Sequence, residues 1–398
     1  MDNLANGVGA KLAKPIETPL PACGLAFDFA EMYDGYTEVP SSFLYMGYLT
    51  LLGAAVSKST TFDDGQQTEP RLYTLLLGES NATRKSTALR LCVNFFNKLD
   101  EFKTQAAFCH GVGSGEGLAK FLMQNRNTIL ILDEFKALVD KGKIESSSLL
   151  PHISTLFENH EVENITKTQT TIIRGANLSL LGASTTGTYE TIFSQDFMNM
   201  GFPNRVWLCV DSSDGSIPFT KQVDPMVYAK LQRDTNRVIE IYNKCHSLSF
   251  ASKAADAAWS EWYHQRPKTD SGRRLEGYGL RLMVVLTVSK QEKSISLETA
   301  QEVIKLLEHQ HQIRELYDPI NSDQVIGRLE EKIRRVLRSA SPLSMGDLKH
   351  RCHAERQGVG NFLRALDNLV DVGEVGFDTI QNQSPNKSQM KLKIYRLL

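Results

Sequence analysis

The sequence predicts an α/β fold built on a mainly parallel sheet with helices on both faces. Two observations carry this. Residues 72–77, 128–132, 177–182 and 205–210 are short runs dominated by apolar residues. Runs of that length are typical of strands buried on both faces. Helical segments lie between several of them, such as 86–96, where Ala88, Leu89, Leu91, Cys92, Phe95 and Phe96 mark the apolar positions. Alternation of strand and helix is the order that closes into a parallel sheet through crossover connections.

Taken in order, residues 1–21 are rich in Gly, Ala, Lys and Pro and read as a tail. Helical patterns follow at 27–33 and 41–56, the second with a start at Pro40-Ser41-Ser42. The apolar stretch 43–56 is too short to span a bilayer and is interrupted by Gly47, Tyr48 and Gly53, so it reads as a buried helix. The strand–helix core runs to 217. Beyond it the strands stop, and 228–242, 254–263, 279–289 and 297–317 read as a helical lid over 218–320. A last segment, 321–398, offers helices at 324–338, 345–352 and 358–372, then a terminal hairpin ending at 390–398. Three helices followed by a hairpin are the order of a winged helix.

The 398 residues carry a net charge of −1, so the chain is no polycation and any nucleic-acid contact must be local. Six cysteines are scattered without a CxxC pair, which argues against a zinc ribbon and a disulfide framework. No basic region followed by an apolar run opens the sequence; a cytoplasmic protein, away from membranes, is expected.

The strongest motif is Gly78-Glu79-Ser80-Asn81-Ala82-Thr83-Arg84-Lys85-Ser86-Thr87. A phosphate-binding loop needs a strand, a turn of exposed backbone N–H groups, a Lys, and a hydroxyl in the first turn of a helix. Lys85 is expected on the β- and γ-phosphates of ATP, and Ser86 on Mg²⁺. Gly78, Ser80, Arg84 and Thr87 complete the candidate nucleotide contacts. The loop departs from G-x-x-x-x-G-K-[ST] in two ways. Gly78 stands seven residues before Lys85, and Arg84 replaces the second Gly; its guanidinium is a candidate phosphate ligand. The alternative is a polar strand–helix turn.

A second motif is the apolar run 129–132 ending in Asp133-Glu134. Asp133 is expected to hold the hydrated Mg²⁺ and Glu134 to deprotonate the attacking water. The alternative, acids capping the next helix, accounts for one of them. Ser184 and Thr185, after the run 177–182, are candidates to sense the γ-phosphate or position the water, or else to cap a helix. Arg205, in Gly201-Phe202-Pro203-Asn204-Arg205, is a candidate to stabilise transition-state charge, on the premise that its turn lies at the ligand-bearing edge of the sheet. Residues 111–117 carry four glycines but no dinucleotide fingerprint, since Glu116 stands where Gly is needed and no clear strand precedes them.

The ordered set Glu38-Val39-Pro40-Ser41, Glu69-Pro70-Arg71-Leu72-Tyr73, the Arg-Lys-Ser-Thr loop, Ser114-Gly115-Glu116-Gly117-Leu118, Asp133-Glu134-Phe135, Leu181-Gly182-Ala183-Ser184 and Asn204-Arg205 resembles a family of phage and mobile-element P-loop ATPases. That family is catalogued mainly as a domain of unknown function and is often fused to primase modules. The resemblance spans about residues 22–317. It implies a RecA- or AAA+-like P-loop NTPase core, a helicase-type motor, and a ring or filament of identical subunits.

From 321 to 398 there are 13 Lys/Arg and 9 Asp/Glu. Arg356, Arg364, Lys387, Lys391 and Lys393 fall on the expected recognition helix, its approach and the wing, and are the candidate DNA contacts. The leading expectation is a DNA-dependent ATPase motor. Its rival is an ATP-switched DNA-binding regulator or loader. A phosphotransferase is a weaker third, because a small-molecule kinase needs neither lid nor winged helix.

Overall fold

A computed structural model describes residues 17–79, 83–144, 147–165, 170–192, 201–213, 217–244, 247–269, 271–320, 324–381 and 391–398. Two compact units divide the chain, one holding Ile16–Arg314 and the other Glu315–Leu398.

The first unit opens with α1 (Leu25–Met32), α2 (Ser41–Val56), β1 (Thr61–Phe62) and β2 (Tyr73–Leu77). Then come α3 (Lys85–Phe96), α4 (Asp100–Gln105), β3 (Ala107–His110), α5 (Gly115–Gln124) and β4 (Asn127–Leu132). After α6 (Phe135–Gly142) and α7 (Leu149–Leu156), the hairpin β5 (Val162–Ile165) and β6 (Thr170–Ile173) leads into β7 (Asn177–Ser184), α8 (Thr186–Ile192) and β8 (Trp207–Val210). Helices Pro225–Tyr242, Lys253–Gln265, Leu275–Ser289 and Leu297–Tyr317 follow, with the short β9 (Ser247–Leu248) pairing β1.

The core is a five-stranded, all-parallel sheet in the order β3-β4-β7-β2-β8. Every residue of β2, β4, β7 and β8 is buried, which is why these strands read as apolar runs. β3 lies at the edge, is only partly buried, and carries the mixed sequence Ala-Phe-Cys-His. A strand therefore does precede residues 111–117, contrary to the sequence expectation; too few of its positions are buried to leave an apolar run.

α2 packs against four strands of this sheet. All its residues but Ser41 are buried, and no described helix is long and apolar enough to cross a membrane. Gly53 lets Pro70 approach: a Cβ there would sit 2.2 Å from the Pro70 carbonyl oxygen. The helices after β8 pack into this same unit. The Tyr278 hydroxyl donates to the Arg205 carbonyl at 2.6 Å and lies 3.1 Å from the Tyr73 carbonyl, tying helix Leu275–Ser289 to the starts of β2 and β8.

The second unit has helices Val325–Ser339, Met345–Arg351, Ala354–Gln357 and Val359–Asp371, with strands β10 (Leu343–Ser344), β11 (Val375–Gln381) and β12 (Lys391–Leu397). The strands form an antiparallel sheet in the order β10-β12-β11. Its core joins Leu329, Ile333 and Leu337 to Phe362, Leu366 and Leu369, with Leu348 and Tyr395.

Candidate functional site at the carboxyl edge of the sheet

Parallel strands share one carboxyl edge, so the segments following β2, β4 and β7 emerge side by side. Register sets their levels: Leu77 pairs with Ser184, and Leu132 with Gly182. β7 lies between β2 and β4, so the Lys85 loop and the acids of 133–134 are separated by two strand spacings, about 10 Å. The connection leaving β2 runs towards β3 at one edge, whereas the one leaving β7 runs to β8 at the other. Such a reversal between neighbouring strands opens a crevice above the sheet.

The loop is braced from within. Thr83 is buried, and its side chain lies over Gly78, where a Cβ would come within 2.6 Å of it. Lys85 Nζ donates to the carbonyls of Gly78 and Glu79 at 3.0 and 2.9 Å and to Thr83 Oγ1 at 2.8 Å. All three ammonium hydrogens are thus directed by the loop itself. Burial pushes the Lys85 ammonium below the ordinary lysine value, and the neighbouring Glu79 opposes this. Arg84 shows why glycine is usual before the lysine: its backbone is left-handed, φ 48° and ψ 31°. A side chain in that conformation costs about 1–2 kcal/mol. The Arg84 guanidinium is held by Glu38, with Nε and Nη2 at 2.9 and 2.7 Å from Oε2.

Ser86 is exposed in the first turn of α3, and Thr87 is half-buried beside it. Ser80 lies outside the described residues. Asp133 and Glu134 are both exposed, and Glu134, at the N-cap of α6, makes no capping bond through its side chain. Ser184 is buried at the end of β7. Thr185 caps α8: its hydroxyl accepts from Thr188 N–H at 3.1 Å and donates to the Thr188 hydroxyl.

The hydroxyl that reaches the loop is instead Thr186, donating to Glu79 Oε1 at 3.0 Å. Thr83 and Glu38 fall within the sequence motifs and Thr186 just beyond one, but none of the three carries a site role there. Only the hydroxyl cluster 184–186 hinted at Thr186.

Arg205 is not part of this edge. It lies two residues before the start of β8, and Thr74 pairs with Trp207, so its turn lies at the amino edge of the sheet. Its Nη1 donates to the Gly201 carbonyl at 2.9 Å and Nη2 is 3.8 Å from Glu158. Glu158 also contacts Arg274. The premise that this turn lies at the ligand-bearing edge is corrected: a turn entering a parallel strand is at the end opposite to the loops that leave the strands.

A cleft of about 700 Å³ runs along α3 beside the loop. Arg84, Thr87, Arg90 and Leu91 form one wall; residues 217–223 and the start of helix Pro225–Tyr242 form the other. Lys98 Nζ lies 5.0 Å from the Tyr228 ring centroid in the same cleft. Among the described residues, Glu38 is the one acidic residue lining it, against Arg84, Arg90, Lys98 and Lys221. Among the described residues, no group of three or more His, Cys, Asp or Glu side chains is arranged to hold a metal ion.

In the second unit, Arg364 is exposed on helix Val359–Asp371, which also carries exposed Asp367 and Asp371. Lys393 is exposed on β12, with Nζ 4.1 Å from the Phe377 ring centroid. Arg356 lies in helix Ala354–Gln357, Lys391 opens β12, and Lys387 lies outside the described residues. Helix Val325–Ser339 carries a basic excess as well, with Arg328, Lys332, Arg334, Arg335 and Arg338 against Glu330 and Glu331, equal to that of Lys391, Lys393 and Arg396 on β12. Part of it is engaged, since Arg334 Nε donates to Glu374 at 2.6 Å.

No protein-family model matches this chain, and no curated protein sequence matches it. The resemblance to phage and mobile-element ATPases rests on the order of its motifs.

Proposed function

We propose that the chain is a P-loop ATPase with a RecA/AAA+-like core, working as an oligomeric, DNA-dependent motor of a phage or mobile element. One observation carries the ATPase reading: a Lys-bearing loop at a helix N-terminus and two exposed acids share one sheet edge, two strands apart. That gap suits a terminal phosphate and a water better than a direct Lys–carboxylate ion pair, which needs contact within 4 Å.

In this reading Lys85 exchanges its loop carbonyls for the β- and γ-phosphates, and the N-terminus of α3 adds its partial positive charge. Ser86 and Asp133 offer hydroxyl and carboxylate oxygens, the hard donors that suit Mg²⁺ alongside phosphate and water. When bound, the metal neutralises charge developing on the phosphates. Glu134, free of any capping role, accepts the proton of the attacking water. Ser184 lies between loop and acids, where its hydroxyl orients that water or the γ-phosphate. The cleft along α3 takes the rest of the nucleotide. Arg205 has no part in these steps.

The second unit, helices followed by an antiparallel hairpin, supports reading it as a winged-helix module that contacts DNA. A second reading is an ATP-switched DNA-binding regulator or loader without motor activity; exposed Asp367, one turn from Arg364, weakens phosphate contact through this helix in both readings. An ATPase assay with and without single-stranded DNA, run beside sizing with ATP, separates the two. A motor shows turnover raised by DNA and lost in Lys85→Ala. Turnover indifferent to nucleic acid, with ATP still controlling assembly, removes the motor and leaves the regulator. No turnover and no ATP binding removes both.

A further inference from the structure

The contact between Arg84 and Glu38 does more than neutralise a surface arginine. Both donors of Arg84 go to a single oxygen of Glu38, Oε2. The other oxygen, Oε1, accepts from the Ile217 N–H at 3.1 Å. Ile217 begins the 217–223 wall of the cleft, and a second tie binds that wall to the same stretch of chain: Lys221 N–H donates to the Tyr36 carbonyl at 3.0 Å. One carboxylate therefore holds both the residue next to the phosphate-gripping lysine and the wall of the adjoining cleft.

We propose that Glu38 is a positioning residue that surrenders Arg84 to the nucleotide phosphates and so couples the loop to the cleft wall. This rests on the nucleotide reading above and adds a regulation of the same site. Three features support the exchange. A guanidinium fork fits phosphate as well as it fits carboxylate. The pair is cheap to break, because the Arg84 side chain is 52% exposed and such exposed pairs are weak. The move is also short: Arg84 adjoins Lys85, one Cα step of about 3.8 Å away.

Glu38 is far less exposed than Arg84, at 16%. Once Arg84 leaves, the carboxylate charge is directed at the Ile217 N–H, and a charge-assisted bond of that kind strengthens as its competitor departs. Phosphate at the loop thereby tightens the wall over the cleft. Without phosphate, Glu38 keeps Arg84 turned away from the loop. The Arg84 departure of the loop from the common motif then has a use: the residue in the glycine position is the movable contact.

A double-mutant cycle tests this, with calorimetric binding of Mg-ATP and of adenosine to the full chain. Glu38→Gln keeps an oxygen for Ile217 but removes the charge competing for Arg84. It is expected to tighten Mg-ATP binding about three- to fivefold, the worth of an exposed ion pair, and to leave adenosine binding unchanged. In an Arg84→Gly background the same change is expected to do nothing. Equal Mg-ATP affinity in the wild type and Glu38→Gln overturns the exchange while the nucleotide reading stands. An equal gain with and without Arg84 also overturns it. If the wild type binds no Mg-ATP, both this proposal and the nucleotide reading fall.

Discussion

At the amino edge of the five-stranded sheet, Arg281 and Arg314 are buried and aim their guanidinium groups at backbone carbonyls. Arg281 donates to the carbonyls of Glu69, Arg71 and Phe157 at 3.2, 2.9 and 2.7 Å. Arg314 donates to those of Arg273, Asn204 and Val206 at 2.8, 3.1 and 3.2 Å. At the carboxyl edge, Asp133 and Glu134 stand in solvent, and the exposed Arg84 is held by the half-buried carboxylate of Glu38. The same sheet thus carries charge that is committed to the fold at one edge and charge that is available to a ligand at the other. Substitutions should separate along the same line, with losses of folding at the first edge and losses of activity at the second.

The sharpest test is Glu134→Gln. Removing a general base lowers turnover by about 10²–10⁴-fold. Because the side chain is exposed, the unfolding free energy should move by no more than about 0.5 kcal/mol. Steady-state ATPase rates and chemical denaturation of the same preparation check both halves. A destabilised Glu134→Gln protein, or one retaining a tenth of its turnover, would break the comparison.

Next is Arg281→Met, at the opposite edge. Burial brings the Arg281 guanidinium down to about 10, so it is still charged at neutral pH. Its loss leaves three carbonyls without this donor and removes its contact with the Phe157 ring, 4.3 Å from the guanidinium carbon. At about 1–3 kcal/mol for each buried group left unpaired, a total loss of about 3 kcal/mol or more is expected, with little change in KM for the fraction that remains folded. Denaturant titration beside Michaelis curves reads both quantities.

Much of the carboxyl edge was legible in the sequence, because a loop and a strand are local. The run into Gly78, the Lys85-Ser86 pair and the Asp133-Glu134 pair each sit within a dozen residues. The amino edge was not, because its bonds join distant parts of the chain, such as Arg281 to Glu69 and Arg314 to Asn204. The same holds for Glu38 and Arg84, and for Thr186 and Glu79. Edge strand β3 escaped because half-buried strands need not be uniformly apolar. Direction was the subtler loss. The sequence marked Arg205 as a residue entering a strand, yet in a parallel sheet entry and exit lie at opposite edges.

Arg205→Gln gives the smallest expected effect and bears on that point directly. The side chain is 12% exposed and engages Gly201 and Glu158, so its removal should cost about 1–2 kcal/mol of stability. Turnover per folded molecule should stay within about twofold, since a group at the amino edge cannot reach phosphates near Lys85 in its own subunit: β2 alone is five residues, or about 16 Å, long. Service to a neighbouring subunit would require the guanidinium to leave Gly201 and Glu158 and cross an interface. A tenfold or greater fall in turnover with unchanged stability would mean that it does so. Mixing Arg205→Gln with Lys85→Ala subunits would then restore activity at the interfaces that keep both an intact loop and an intact arginine, which a purely structural Arg205 cannot do.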